Sequence, residues 1–238
     1  YTPVGARRTE ELGGSVGAYT RSVKLKADDE KLLLYNGQPK QNQGEHAAIF
    51  IYQTPPDNKQ QVAGGVMRIW AEYLYASGRK QEISFMLTNG LEFSYQQWMQ
   101  GYRPDFRGEP KMVQTAEAAD DYETFFSYLT ALFQYSDIQS LAGELMAVDI
   151  KEMRIGDVLA ATQEGGHAAM VVDMCRDDAG HTYFMLAGGG NPAQDVHVFR
   201  NAQDDSQYVW YALDENAKEI KTPEYTFPIG SLKRFSDL

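Results

Sequence analysis

Apolar and polar residues change rhythm near residue 150 of this chain. Residues 1–45 are rich in Gly, Lys, Asp and Gln and hold no long apolar run, which predicts a segment that wraps the core. Within it, Ser22 to Leu25 and Leu32 to Tyr35 predict short strands, and Asn36-Gly37 predicts a turn. Ala47 to Tyr52 is a continuous apolar run that predicts a buried strand, ended by Pro55 and Pro56. Asp57 then predicts an N-cap for a helix over Lys59 to Ala76. Val62, Val66, Ile69, Trp70 and Tyr73 recur on it at helical spacing and make one apolar face. Ile83 to Leu87 predicts another strand, with Thr88-Asn89-Gly90 turning after it. Tyr95, Trp98 and Tyr102 follow at helical spacing. Asp120 or Asp121 predicts the cap of a helix from Tyr122 to Gln134, and Asp120 with Glu123 has capping-box spacing. Ser140, Leu141, Glu144 and Leu145 predict a short further helix.

Beyond residue 150 the apolar runs become short and regular. Val158–Ala161, Ala168–Met174, Tyr183–Ala187, Val196–Phe199 and Val209–Ala212 predict five strands separated by polar turns, an antiparallel meander. Helices mainly in the first half and an antiparallel sheet in the second half make the fold class α+β. With no repeat, linker or composition break, the expectation is one domain over residues 1–238. It divides into a wrapping segment (1–45), a helix-rich part (46–150) and a sheet part (151–238).

Composition narrows the possible partners. The net charge is -11, and nucleic acid needs clustered Lys and Arg against its phosphates, so no nucleic-acid partner is expected. No apolar run approaches the roughly 20 residues that span a bilayer, so no transmembrane segment is expected. Cys175 is the only cysteine, which excludes an internal disulfide and any multi-cysteine metal site. The histidines His46, His167, His181 and His197 show no metal-ligand spacing, so neither a metal nor a cofactor is expected. The chain starts at Tyr1 rather than Met. That start predicts removal of a targeting segment, hence an exported protein, periplasmic or associated with the outer envelope.

The sharpest chemical signal is Gly156-Asp157 entering one strand, followed by Gly166-His167 opening the next. This pair resembles the histidine half of NlpC-like, papain-type domains, which are cysteine hydrolases and acyltransferases often acting on cell-wall peptides. The resemblance implies a papain-like fold with His167 as the catalytic base, facing a cysteine at a helix N-terminus. A third polar group would orient the imidazole. The chemistry requires that arrangement, because a thiol becomes a strong nucleophile only when a base and a helix N-terminus lower its pKa.

The nucleophile is missing. Cys175 lies eight residues past His167, and eight extended residues span roughly 26 Å. Gln194 or His197 is the candidate orienter, after a Gly188-Gly189-Gly190 stretch that reads either as a loop whose backbone N–H groups cradle an anion or, preferred, as a flexible turn. Arg68 and Glu72 stand four apart on their helix, either as a surface ion pair worth a few tenths of a kcal/mol or as a polar pair facing a cleft. Trp98 and Arg103 are read either as core or as the wall of a ligand groove. Three functions follow. The first is a non-catalytic domain binding a cell-envelope peptide or glycan through His167, Arg68, Glu72, Trp98, Arg103, Gln194 and His197. The second is a hydrolase in which His167 works with a non-cysteine partner. The third is a structural envelope protein with no small ligand.

A longer pattern covers nearly the whole chain. Tyr1-Thr2-Pro3-Val4-Gly5, Arg68 to Tyr75, Thr88-Asn89-Gly90, Gly156 to Asp173, Pro192-Ala193-Gln194 and Thr222-Pro223-Glu224 resemble a mostly bacterial family catalogued as domain of unknown function 4846. That resemblance implies a single, exported bacterial domain and carries no activity with it.

Overall fold

The computed structural model describes residues 2–163, 165–201, 203 and 208–236. Tyr1 of the first family motif and the acidic pair Asp204-Asp205 lie outside the described residues.

In chain order, the first elements are β1 (Ala6–Arg8), α1 (Val16–Ser22), β2 (His46–Ile49), α2 (Val62–Ala76), β3 (Ser84–Met86), β4 (Glu92–Ser94) and α3 (Tyr95–Met99). Then come β5 (Tyr102–Asp105), β6 (Lys111–Gln114), α4 (Tyr122–Tyr135), α5 (Ile138–Glu144) and β7 (Met146–Ala147). The remainder is strand: β8 (Val158–Ala161), β9 (His167–Asp177), β10 (Thr182–Gly188), β11 (His197–Phe199), β12 (Tyr211–Ala212), β13 (Glu219–Lys221), β14 (Thr226–Pro228) and β15 (Leu232–Arg234). The class is α+β: the described α-helices all end by Glu144, and every described strand pairing is antiparallel.

One sheet organises the molecule. Its order is β2-β11-β10-β9-β8-β15-β7, with β1 added beside β9 and β12 beside β10. The long β9 is flanked by β10 along one side. On the other side β8 pairs with its first residues and β1 with its last. β8 and the first half of β9 are almost wholly buried and apolar, so the small residues Ala160, Ala161, Ala168 and Ala169 let other layers approach closely. Asp157 explains the Gly-Asp entry to β8. Its carboxylate is fully buried, grips Arg234 through two oxygens at 2.6 and 2.9 Å, and accepts from the Arg154 amide. The pair staples β15 to β8.

Several expectations are corrected. The 1–45 segment does not merely wrap the core: β1 joins the main sheet, and α1 packs on β9 through Thr20, which donates to the Val172 carbonyl at 2.7 Å, and Arg21, which pairs with Asp173. Ser22 ends a helix rather than starting a strand, and Leu25, Leu33 and Leu34 make only isolated bridges. α2 begins at Val62, not Lys59, with Gln61 rather than Asp57 at its cap position. The cap of α4 is Asp121, which accepts from Thr124. The capping box belongs instead to α5, between Asp137 and Ser140. Tyr102 opens a strand rather than continuing α3.

Candidate functional site

His167 is the first residue of β9, opposite Ala161 of β8. The preceding Gly166 sits at φ +81°, and a β-carbon there would come within 2.4 Å of Ile138 Cγ2, at the start of α5. Only glycine satisfies both conditions. The imidazole stacks on Tyr225, with ring centroids 3.9 Å apart and planes at 10°. Tyr225 sits in the turn between β13 and β14, closed by its mutual hydrogen bonds with Thr222. Glu224 beside it pairs with Lys40, which also pairs with Glu45 at 2.6 Å. Three segments remote in sequence therefore meet around the mouth of β9.

Cys175 lies in β9 itself, with no fold-back between it and His167. It is buried with Ala6 and Trp210. Burial pushes its thiol up to about 11, the wrong direction for a nucleophile.

The other sequence candidates fall in three places. Among the described residues no hydrogen bond, ion pair or ring contact joins a candidate of one place directly to a candidate of another, although the rings of Tyr122, Phe125, Tyr95 and Tyr128 run from the Arg68–Glu72 pair to Trp98. Arg68 and Glu72 do pair, at 2.8 Å, but their side chains are 0% and 8% exposed. The surface-pair reading is overturned, and so is an open polar face for a ligand. Arg68 also donates to the Gln53 carbonyl, Gln60 and Tyr122, and lies 5.0 Å from the Tyr52 ring centre. Tyr122 donates to Glu72 at 2.6 Å, and burial raises its hydroxyl to about 12. Trp98 is core, 6% exposed, and donates its indole N–H to Ser127. Arg103 stacks over it at 3.8 Å and donates to the Trp98 and Tyr102 carbonyls. Arg103 thus covers a buried Trp98 ring, which supports the core reading of that residue. Gln194 and His197 are buried at 1% exposure each. His197 Nδ1 meets the Asp195 carbonyl at 3.0 Å, and burial lowers the imidazole to about 3. It faces His46 edge to face, 6.4 Å away, rather than His167.

An open feature beside Gly166, next to His167, is a cavity of about 230 Å3 at the start of α2. Asn58, Lys59, Gln61, Gln134 and Asn191 line it with polar groups, and Gly165-Gly166 closes one side. The first turn of α2 presents Val62, Ala63 and Gly64 there. Gly65, one residue further, packs on Gly189: a β-carbon on it would stand 2.2 Å from the Gly189 nitrogen. The Gly188–Gly190 stretch is thus the seat of α2, not a flexible turn. Sequence reasoning missed the lining residues. Their only signal is the Gly64-Gly65 pair inside a helix, which marks a close approach. The cavity can hydrogen-bond a polar ligand and carries one ammonium, from Lys59, and one carboxylate, from Asp137, whose Oδ1 accepts the Gln139 and Ser140 amides. Among the described residues no group of three or more His, Cys, Asp or Glu is arranged to hold a metal, and no helix is long and apolar enough to cross a membrane.

A family model described as domain of unknown function (4846) matches residues 1–234. No curated protein and no solved structure matches the chain significantly. The family match runs from the first residue through β15 and takes in the sheet, the helices and the cavity, so the chain belongs to the domain of unknown function 4846 family.

Proposed function

We propose that this chain is a non-catalytic, papain-like (NlpC-like) domain of an exported protein that binds a cell-envelope peptide at the start of α2. The observation that carries the reading is the polar cavity at the N-terminal turn of a helix seated on the central strands, where the turn offers only Val62, Ala63 and Gly64. A papain-type nucleophile would stand on such a turn. Here the place is kept open, and the side chains around it suit recognition rather than bond cleavage. Peptide is favoured over glycan by the lining. Side-chain amides, Lys59 and Asp137 match peptide carbonyls, amides and charged termini, whereas Trp98, the aromatic residue read as the wall of a ligand groove, is buried.

Thermal unfolding with a panel of muropeptides and glycans tests the proposal, because a ligand that binds only the folded state raises Tm. A peptide is expected to raise it, less so in Lys59→Glu, with the peptide recovered intact. No shift with any member favours a structural envelope role. Cleaved peptide, abolished by His167→Ala, favours a hydrolase. Fractionation of the producing cell tests the location, with the protein expected outside the cytoplasm.

A further inference from the structure

A second groove lies on the other side of the start of α5, about 450 Å3 in volume, between the β3–β4 turn and α5. It shares only Asp137 with the cavity at α2. Met86 and Leu87 form an apolar wall, and Glu144, on the last turn of α5, lies against it. One carboxyl oxygen of Glu144 accepts the Met86 amide at 2.7 Å. No basic side chain pairs with it among the described residues, although most acidic side chains buried elsewhere in this protein have one: Asp157 has Arg234, Asp173 has Arg8 and Arg21, and Asp195 has Lys26. Glu92 on β4 is opposite Met86, Asp137 caps α5, and the neutral Tyr128 lies on α4. The nearest cation on a packed element, Lys233 of β15, donates to the Ala142 carbonyl and forms no ion pair with the Glu144 carboxyl.

A half-buried carboxyl without a counter-ion, at the end of a groove with an apolar wall, is complementary to an ammonium on a hydrocarbon stem. The stem lies along Met86 and Leu87, and the ammonium meets the oxygen that Met86 leaves free. We propose that this groove is a binding site for an alkylammonium group, with Glu144 as its counter-ion. A lysine side chain of a peptide and a free diamine both carry that chemistry. The site shares Asp137 with the proposed peptide cleft, but the proposal does not rest on that cleft.

Burial, opposed by the Met86 amide and reinforced by Glu92, raises the Glu144 carboxyl to about 7. Alkylammonium binding therefore strengthens with pH. The carboxylate fraction rises about 30-fold between pH 5.5 and pH 8, and affinity is expected to follow it. The test is NMR titration of the whole chain with n-butylammonium at both pH values. The expected result is saturable movement of the Met86, Leu87 and Glu144 amides, about 30-fold tighter at pH 8 and lost in Glu144→Gln. Parallel titrations with cadaverine and with Nα-acetyl-lysine methylamide distinguish the sources: tighter binding of the first assigns a diamine, of the second a peptide lysine. Absence of movement at pH 8, equal affinity at the two pH values, or undiminished binding by a folded Glu144→Gln protein overturns the proposal. The wild-type pH comparison decides it even if that variant does not fold.

Discussion

Replacing Glu72 by alanine leaves the Arg68 guanidinium buried without its carboxylate. Arg68 is fully enclosed, and its remaining acceptors are neutral: the Gln53 carbonyl at 2.9 Å, Gln60 at 3.3 Å and the Tyr122 hydroxyl at 3.2 Å. Two unit charges about 4 Å apart attract by about 4 kcal/mol at an effective dielectric constant of 20. Breaking a buried pair from one side costs about 3–5 kcal/mol in other proteins. Glu72→Ala is therefore expected to destabilise by about 3–5 kcal/mol, whereas an exposed i,i+4 pair is worth a few tenths. Removing both charges, in Arg68→Met with Glu72→Leu, is expected to cost less than the single change, because no uncompensated charge remains. The assay is urea unfolding at pH 7, repeated in 0.1 M and 0.5 M NaCl. A buried pair is barely screened, so the cost should hold in high salt. A cost below about 1 kcal/mol, or one that disappears in 0.5 M salt, refutes the enclosed geometry and returns the pair to the surface.

Three further outcomes follow from the same structure. His197 is held neutral by burial down to about pH 3 against an ordinary 6.5, so between those values the unfolded chain binds a proton that the folded chain refuses. Stability falls as pH falls through that window. Urea unfolding at pH 7 and 4.5 should show the wild type losing about 2–3 kcal/mol more than a folded His197→Asn variant, and equal losses would contradict the burial. For Glu144 the sign reverses. Its folded value is raised to about 7 from 4.5, so its stabilisation is present below pH 4.5 and is lost as pH rises through 7. Glu144→Gln is expected to gain about 1–2 kcal/mol on wild type between pH 4.5 and 8, read by the same unfolding method; no gain would place the carboxyl in water. Gly65→Ala puts a β-carbon 2.2 Å from the Gly189 nitrogen and should cost about 3 kcal/mol or more, while a change under 1 kcal/mol would mean that α2 is not seated there.

Elements with a strong local signal are legible in the sequence. Val158–Ala161 has the same bounds in both readings, because a short apolar run after Gly156-Asp157 has little else to become. Asp121 is visible as a cap because its side chain acts three residues away. α1 is invisible by the same logic: seven residues including Gly17, Thr20 and Ser22 have poor helix propensity, and the helix is held by the Ser15 cap and by β9, far along the chain. Arg68 and Glu72 show the limit most clearly. Their four-residue spacing is the same for a solvated pair and a buried one. Burial comes from Tyr52, Tyr122 and Phe126, which no local pattern brings to that helix face. His167 is legible as the start of a strand, but its stacking partner Tyr225 is 58 residues on, in a hairpin that carries no strong turn signal. The cavity residues come from α2, α4, the start of α5 and four connecting segments, so only the folded chain assembles them.

The central claim, a peptide site at the start of α2 without cleavage, is tested most directly by mapping a bound muropeptide on the backbone amides by NMR. The account predicts saturable shifts at Val62 to Gly65, Gly165, Gly166 and Asn191, weakened in Lys59→Glu, with the peptide intact at the end of the titration. Shifts confined to other surfaces, no shifts with any muropeptide, or hydrolysis of the peptide during the titration would contradict it.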